Sequence, residues 1–348
     1  SSLSFFLPVP LYPSFLDFVR FETKTKFMKM RIYILLYLTL VVTNITAQVI
    51  DVPFKQATSV KYVLSEELKD AQFKKVVVDY NDIIYVLTDK GLFRDYNEDE
   101  LSKDLFYRLL DKKKPVDICV QEGTGYLYYL YADQFLTNAH AGTIYEYFPK
   151  NEYRRILVNE QDQVMLLGNK KGALYQRTKK MANLKLPDGV LVEAYVHDQK
   201  FYYLTTDAIY VLENMDWKLL HKGGNLTALA FRNNTIFVGS TDGFYAVDSF
   251  KGQTVLDRNN KLPVPNISEM LQVGNQLWFG SENGAFLQEP DRFRYFAGRR
   301  WLDHNKVVDI TSDSRGDLYF LTPTGLNKVK YITQTLAEKT KRIEDDIR

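Results

Sequence analysis

Between Val76 and Val329 one short pattern returns seven times, and a chain written this way must bury its segments against copies of themselves. The clearest copy is QLWFGSENGAFL at residues 276–287. Aligned on the turn residue before its last strand, the copies place Gly91, Gln134, Gly172, Ala208, Gly243, Gly284 and Gly325 in one column, 35 to 43 residues apart. The next column, Leu92, Phe135, Ala173, Ile209, Phe244, Ala285 and Leu326, is apolar throughout. So is the column seven residues before the anchor: Ile84, Leu127, Met165, Phe201, Ile236, Leu277 and Leu318. Six before it stand Tyr85, Tyr128, Leu166, Tyr202, Phe237, Trp278 and Tyr319, six of them aromatic. Three before it, Thr88, Thr205, Ser240, Ser281 and Thr322 carry hydroxyls. With 45% apolar residues in the chain, one fully apolar column has a chance of about 1 in 250, so two in one frame mark a real repeat.

Each copy reads as a short buried strand, a tight turn and another short strand. The turns Asp242-Gly243 and Asn283-Gly284 supply residues that tolerate positive φ. A continuous apolar and aromatic run such as LWFG implies cover on both faces, which one small sheet cannot provide. Sheets stacked radially around an axis do provide it, and four-strand repeats of about 40 residues are the signature of a β-propeller.

The span 51–330 is then filled by seven copies of 40 residues, leaving no room for a second domain inside it. Inner strands are expected at 75–79, 116–121, 155–159, 194–197, 226–231, 269–273 and 307–311, with outer strands clearest at 217–221 and 292–296. The seventh copy lacks an outer strand after Val329, and residues 59–65, SVKYVLS, alternate suitably to supply it from the opposite end of the chain. The fold class is therefore all-β, a seven-bladed propeller of four-stranded blades closed by an N-terminal strand.

The ends differ from the repeats. Residues 28–47 combine a basic start, the apolar stretch IYILLYLTLVV and a small-residue cleavage pattern, the form of a signal peptide cut between Ala47 and Gln48. Eleven mostly apolar residues are too few to span a bilayer comfortably. Residues 1–27, ahead of the first methionine, read as untranslated leader or a disordered extension, and residues 48–330 as the propeller. At 331–348 a helix is expected, with Thr335 as cap and Glu338 three residues on, either as a terminal tail or as the start of a further domain.

The last two copies resemble the two-component-regulator propeller repeat, through Leu302, Asn305, Val307, Ile310, Asp313, Gly316, Leu318, Thr322, Gly325 and Leu326 and through LWFGSENGAF. The likeness is best over residues 266–329 and weak in the first four copies; Tyr319 stands where the family has Trp, and Leu321 where it has Gly. The resemblance implies an extracytoplasmic ligand-binding propeller and transfers no ligand.

No catalytic centre is legible. His140, His197, His221 and His304 are scattered without metal-ligand spacing, and no nucleophile elbow or phosphate loop is present. Catalytic, metal and cofactor residues are accordingly assigned to none. The single cysteine, Cys119, forbids an internal disulfide and sits in inner-strand register, where a buried inert thiol is expected. Some propeller enzymes gather His, Tyr and Arg from several blades, for which Tyr195, His197, Arg299, Arg300 and His304 are the candidates. Arg299, Arg300 and His304 are also the candidate ligand contacts on the rim. Three sequons, at Asn225, Asn233 and Asn266, fall at strand boundaries. With a formal charge of +2, no global field argues for nucleic acid or an anionic membrane. The expected role is a secreted, non-enzymatic binding or scaffold module of the extracellular space or matrix, with a protein or polysaccharide partner. The rivals are a carbohydrate-active enzyme and the ligand-binding part of a larger receptor.

Overall fold

The computed structural model describes residues 51–97, 99–104, 113–138, 144–177, 179–259 and 261–347. The leader, the signal segment with its Ala47 and Gln48 cleavage site, and His140 lie outside the described residues. Residues 55–332 form one compact unit, in which seven sheets built around antiparallel hairpins follow one another among the described residues. Their inner strands are Phe73–Val78, Asp117–Val120, Arg155–Val158, Leu191–His197, Leu226–Arg232, Ile267–Val273 and Asp309–Ser312. Each of the seven expected inner strands is found, displaced by at most a few residues.

The apolar columns are the walls between blades. Seven separate apolar clusters occur, and each joins two neighbouring blades. An open stack of seven blades would have one interface fewer. The extra one unites Tyr319, Leu321 and Leu326 of the last blade with Tyr62, Phe73 and Val76 at the beginning of the chain, so the ring is closed. Trp278, Phe279 and Phe286 of the best copy are fully buried. Burying a side chain of that size contributes roughly 2–3 kcal/mol, which repeated around the ring supplies the cohesion that a disulfide would otherwise lend.

The hydroxyl column has a definite local function. Thr88, Thr205, Ser240, Ser281 and Thr322 each donate to the carbonyl of the anchor residue three positions on, at 3.0, 3.2, 2.7, 2.7 and 3.0 Å. In four of these turns the hydroxyl oxygen also accepts an amide from inside the turn, as Asn283 N–H does to Ser281 at 3.2 Å. Gly91, Gly243, Gly284 and Gly325 have φ of 131°, 128°, 136° and 154°, a region open essentially to glycine. Gln134 and Ala208 have no positive φ, which is why those copies manage without glycine. In the third blade the pairing corrects the alignment by one residue: Gly168 N–H donates to Lys171 O and Leu167 stands opposite Gly172, so Lys171 holds the anchor position.

Closure also differs in detail from the expectation. The last blade consists of Asp309–Ser312, Leu318–Thr322 and Gly325–Gln334, and its fourth strand is Phe54–Lys61 rather than residues 59–65. Val63–Leu64 turns away to pair in parallel with Glu100–Lys103 as a fifth strand of the first blade. The switch occurs between adjacent amides: Tyr62 N–H donates to Leu326 O at 3.0 Å and Val63 N–H to Asp99 O at 2.7 Å. The alternation of SVKYVLS thus spans two sheets, and its apparent single strand is the end of one and the beginning of another.

The second unit includes helix α1, Leu336–Ile347. Its N-terminus carries the expected capping box, with Glu338 N–H donating to Thr335 Oγ1 at 3.2 Å and Thr335 N–H to Glu338 Oε2 at 2.7 Å. Asp51 takes the Leu336 and Ala337 amides, and those bonds hold its carboxyl below the usual carboxylate range. Among the described residues no helix is long and apolar enough to cross a membrane.

Candidate functional site

Inner strands lie edge-on to the ring axis, so their inward residues decide what the central channel presents. At one shared register stand Lys75, Asp117, Arg155, Glu193, Ala228, Glu269 and Asp309, opposite Leu87, Leu130, Leu167, Leu204, Gly239, Gly280 and Leu321 respectively. Six of the seven are ionisable, and all six line a cavity of about 620 Å³. Tyr195, His197 and Phe231 of the fourth and fifth blades form an aromatic side to it, with His197 stacked on Phe231 at 4.7 Å.

The ring has internal structure. Lys75 pairs with Asp117 at 3.2 Å, and Arg155 with Glu193 at 3.5 Å. Asp117 Oδ2 accepts the Ile156 amide of the next blade at 3.0 Å, and Asp309 Oδ2 accepts the Val76 amide of the first blade at 2.8 Å. Each of these aspartates therefore ties its blade to the residue following the ring position of the next. Tyr195 performs the same task between the fourth and fifth blades by accepting Leu229 N–H at 3.1 Å. The position after Glu269 in this scheme is Ile310, whose amide is already taken by Oδ1 of its own neighbour Asp309 at 2.8 Å. Among the described residues the Glu269 side chain has neither a hydrogen bond nor an ion pair, while its backbone pairs with the strand opposite Gly280.

Electrostatics follow from this arrangement. Burial opposes the charge on Lys75, but Asp117 and then Glu193 outweigh it and its pKa is raised; Arg155 is raised likewise against its burial, chiefly by Glu193 and Asp117. Burial pushes Asp309 up to about 7, although the Val76 amide and Lys75 oppose the rise. Glu269 is pushed well above the carboxylate range by burial and then by the charges of Asp309 and Glu193. Two neighbouring carboxyls in one narrow channel resist ionising together. Cys119 is buried behind this ring, and burial raises its thiol pKa, as expected for an inert thiol.

The five residues weighed for catalysis are not brought together. Tyr195 and His197 border the channel, whereas none of Arg299, Arg300 and His304 lines it. The latter three lie in the connection from the sixth to the seventh blade, where Arg299 O accepts from Lys61 at 2.7 Å, Arg300 covers Trp301 at 5.0 Å and His304 Nδ1 accepts Lys306 N–H at 3.0 Å. His221 is engaged with Gly252 O and the Tyr245 hydroxyl. Asn225, Asn233 and Asn266 are all exposed. Among the described residues no three His, Cys, Asp or Glu side chains converge closely enough to hold a metal ion.

Sequence reasoning missed the charged ring because it aligned the apolar columns and left the inner strands unaligned. The connection between inner strand and anchored hairpin varies in length, so these residues stand 15 to 17 positions before their anchors and fall into one register only through the strand pairing.

No family model matches the chain, and no curated protein matches it. Solved structures do. The extracellular domain of the putative hybrid two component system BT4673 from B. thetaiotaomicron superposes with a TM-score of 0.62 at 14% identity, over 78% of this chain and 39% of that one. The corresponding domain of BT3049 from the same organism gives 0.59 at 14%, over 80% and 42%. This chain thus spans about two fifths of those domains. Virginiamycin B lyase from Staphylococcus aureus gives 0.61 at 11%, over 80% and 100%. At such identities the likeness is one of fold, and it includes propellers of the sensor type that the repeats resemble.

Proposed function

We propose that this propeller is a non-enzymatic binding module that works outside the cell and takes its ligand at the central channel. The observation that carries the reading is the ring of six ionisable side chains at one register around a cavity of about 620 Å³, a volume suited to a small molecule or the end of a chain. A purely structural channel would be filled with apolar side chains, because every buried charge has a desolvation cost. The signal segment, cleaved between Ala47 and Gln48, and the extracellular sensor domains among the structural neighbours support the location. Attachment of glycans at Asn225, Asn233 and Asn266, ligand contacts at Arg299, Arg300 and His304 and a role in the matrix belong to the same reading. The greater length of the sensor domains favours one alternative within it, that the propeller is the ligand-binding part of a larger receptor. Two measurements test the proposal. Peptides of the chain should be recovered from an extracellular fraction with Gln48 as amino terminus, and recovery from the cytoplasm alone would remove the location. Saturable binding of any extracellular small molecule should be weakened by substitutions in the channel, and insensitivity to all of them would remove the site.

A further inference from the structure

The geometry points to an organic cation as the ligand class of the channel, with Glu269 as its principal contact and Asp309 beside it. The inference rests on the channel-binding reading and specifies its chemistry. Three observations carry it. The first is charge balance around the ring: Lys75 and Arg155 each form an ion pair with a carboxylate, on Asp117 and Glu193 respectively, which among the described residues leaves Glu269 and Asp309 outside any ion pair. The second is the task that Glu269 lacks. Asp117, Asp309 and Tyr195 each take an amide of the following blade, but the amide available to Glu269, that of Ile310, is occupied by Asp309. An ionisable side chain in a channel wall with no structural partner is costly to the fold, and a ligand that pairs with it removes that cost.

The third is the surroundings. Next to Glu269 at this register stands Ala228, which is buried in the wall between the fifth and sixth blades, so the fifth blade contributes no ionisable side chain there to pair with the carboxylate. Tyr195, His197 and Phe231 line the same cavity and give it an aromatic, largely apolar border. The described acidic groups do not converge as a metal ion requires, whereas an ammonium or guanidinium group reaches separated carboxylates through directed N–H donors. The favoured ligand is therefore an amine or guanidine carrying a flat apolar portion.

Benzylammonium, benzyl alcohol and benzoate share one ring and differ in charge, so they form the test set. Titration calorimetry or ligand-observed NMR at pH 8 on the secreted-form chain should show saturable binding of benzylammonium, with benzyl alcohol and benzoate on the order of tenfold weaker. Glu269→Gln keeps the side-chain shape and should weaken benzylammonium on the order of tenfold, with circular dichroism confirming an unchanged fold. Equal binding of the three probes, or full affinity in E269Q, overturns the assignment. Preference for benzoate also overturns it, while leaving the channel as a binding site served by Lys75 and Arg155. Absence of binding by all three overturns it as well, and the broader reading then stands or falls on the extracellular-fraction experiment.

Discussion

Ser281 shows how one hydroxyl can hold a blade's hairpin: it donates to Gly284 O at 2.7 Å and accepts Asn283 N–H at 3.2 Å while fully buried. Ser281→Ala leaves both backbone groups short of a partner, and we expect a loss of about 1–3 kcal/mol in denaturant unfolding. Glycine at the anchor is required to different degrees. A Cβ at Gly91, with φ of 131°, meets nothing within 4 Å, whereas at Gly284, with φ of 136°, it would lie 2.8 Å from both Ala297 Cβ and Phe296 O. Gly91→Ala should therefore cost only its backbone strain, about 1–2 kcal/mol, and Gly284→Ala measurably more; equal thermal shifts for the two would contradict this account. These columns were readable without a structure because a turn's demands fall on single residues. The misplacement at Gly172 has the converse cause: a glycine beside the turn drew the alignment, although the pairing gives the position to Lys171, which needs no positive φ.

The element whose place the sequence describes least well is the N-terminal strand. Its first part completes the last blade and its second part edges the first, so a periodicity search over SVKYVLS sees one strand where the chain serves two sheets. Removing residues 51–64 would expose the full edge of Gly325–Gln334 and strip Tyr62 from the interface it shares with Tyr319 and Phe73. We expect the shortened chain to melt at lower temperature, bind hydrophobic dye and associate at micromolar concentration, as followed by light scattering. A shortened chain that remains monomeric with an unaltered melting curve would show that closure does not depend on this strand. The charged ring was illegible for a related reason. Its members, from Lys75 to Asp309, are separated by whole repeats and become one feature only when the blades are set around an axis.

At the scale of the whole molecule, the ring of charge links stability to acidity. Glu269 and Asp309 have folded-state pKa values raised above those of the unfolded chain, Asp309 to about 7, so the folded protein holds the extra protons. Each contribution is fully present below the unfolded carboxyl range and is lost as pH rises, that of Asp309 through about 7 and that of Glu269 in the same direction. Glu269→Gln should accordingly raise the melting temperature by a few degrees at pH 8 and change it little at pH 5, as scanning calorimetry would show; an equal shift at both values would exclude the linkage. The adjacent amides of Tyr62 and Val63, one bound to the last blade and one to the first, carry a further consequence for biogenesis. Phe54–Lys61 has no sheet partner until Gly325–Gln334 of the seventh blade has been made, so the ring cannot close before that blade has left the ribosome. Until then that strand is an unguarded edge, and a chaperone that shields it during synthesis would act on the molecule's slowest and most vulnerable step.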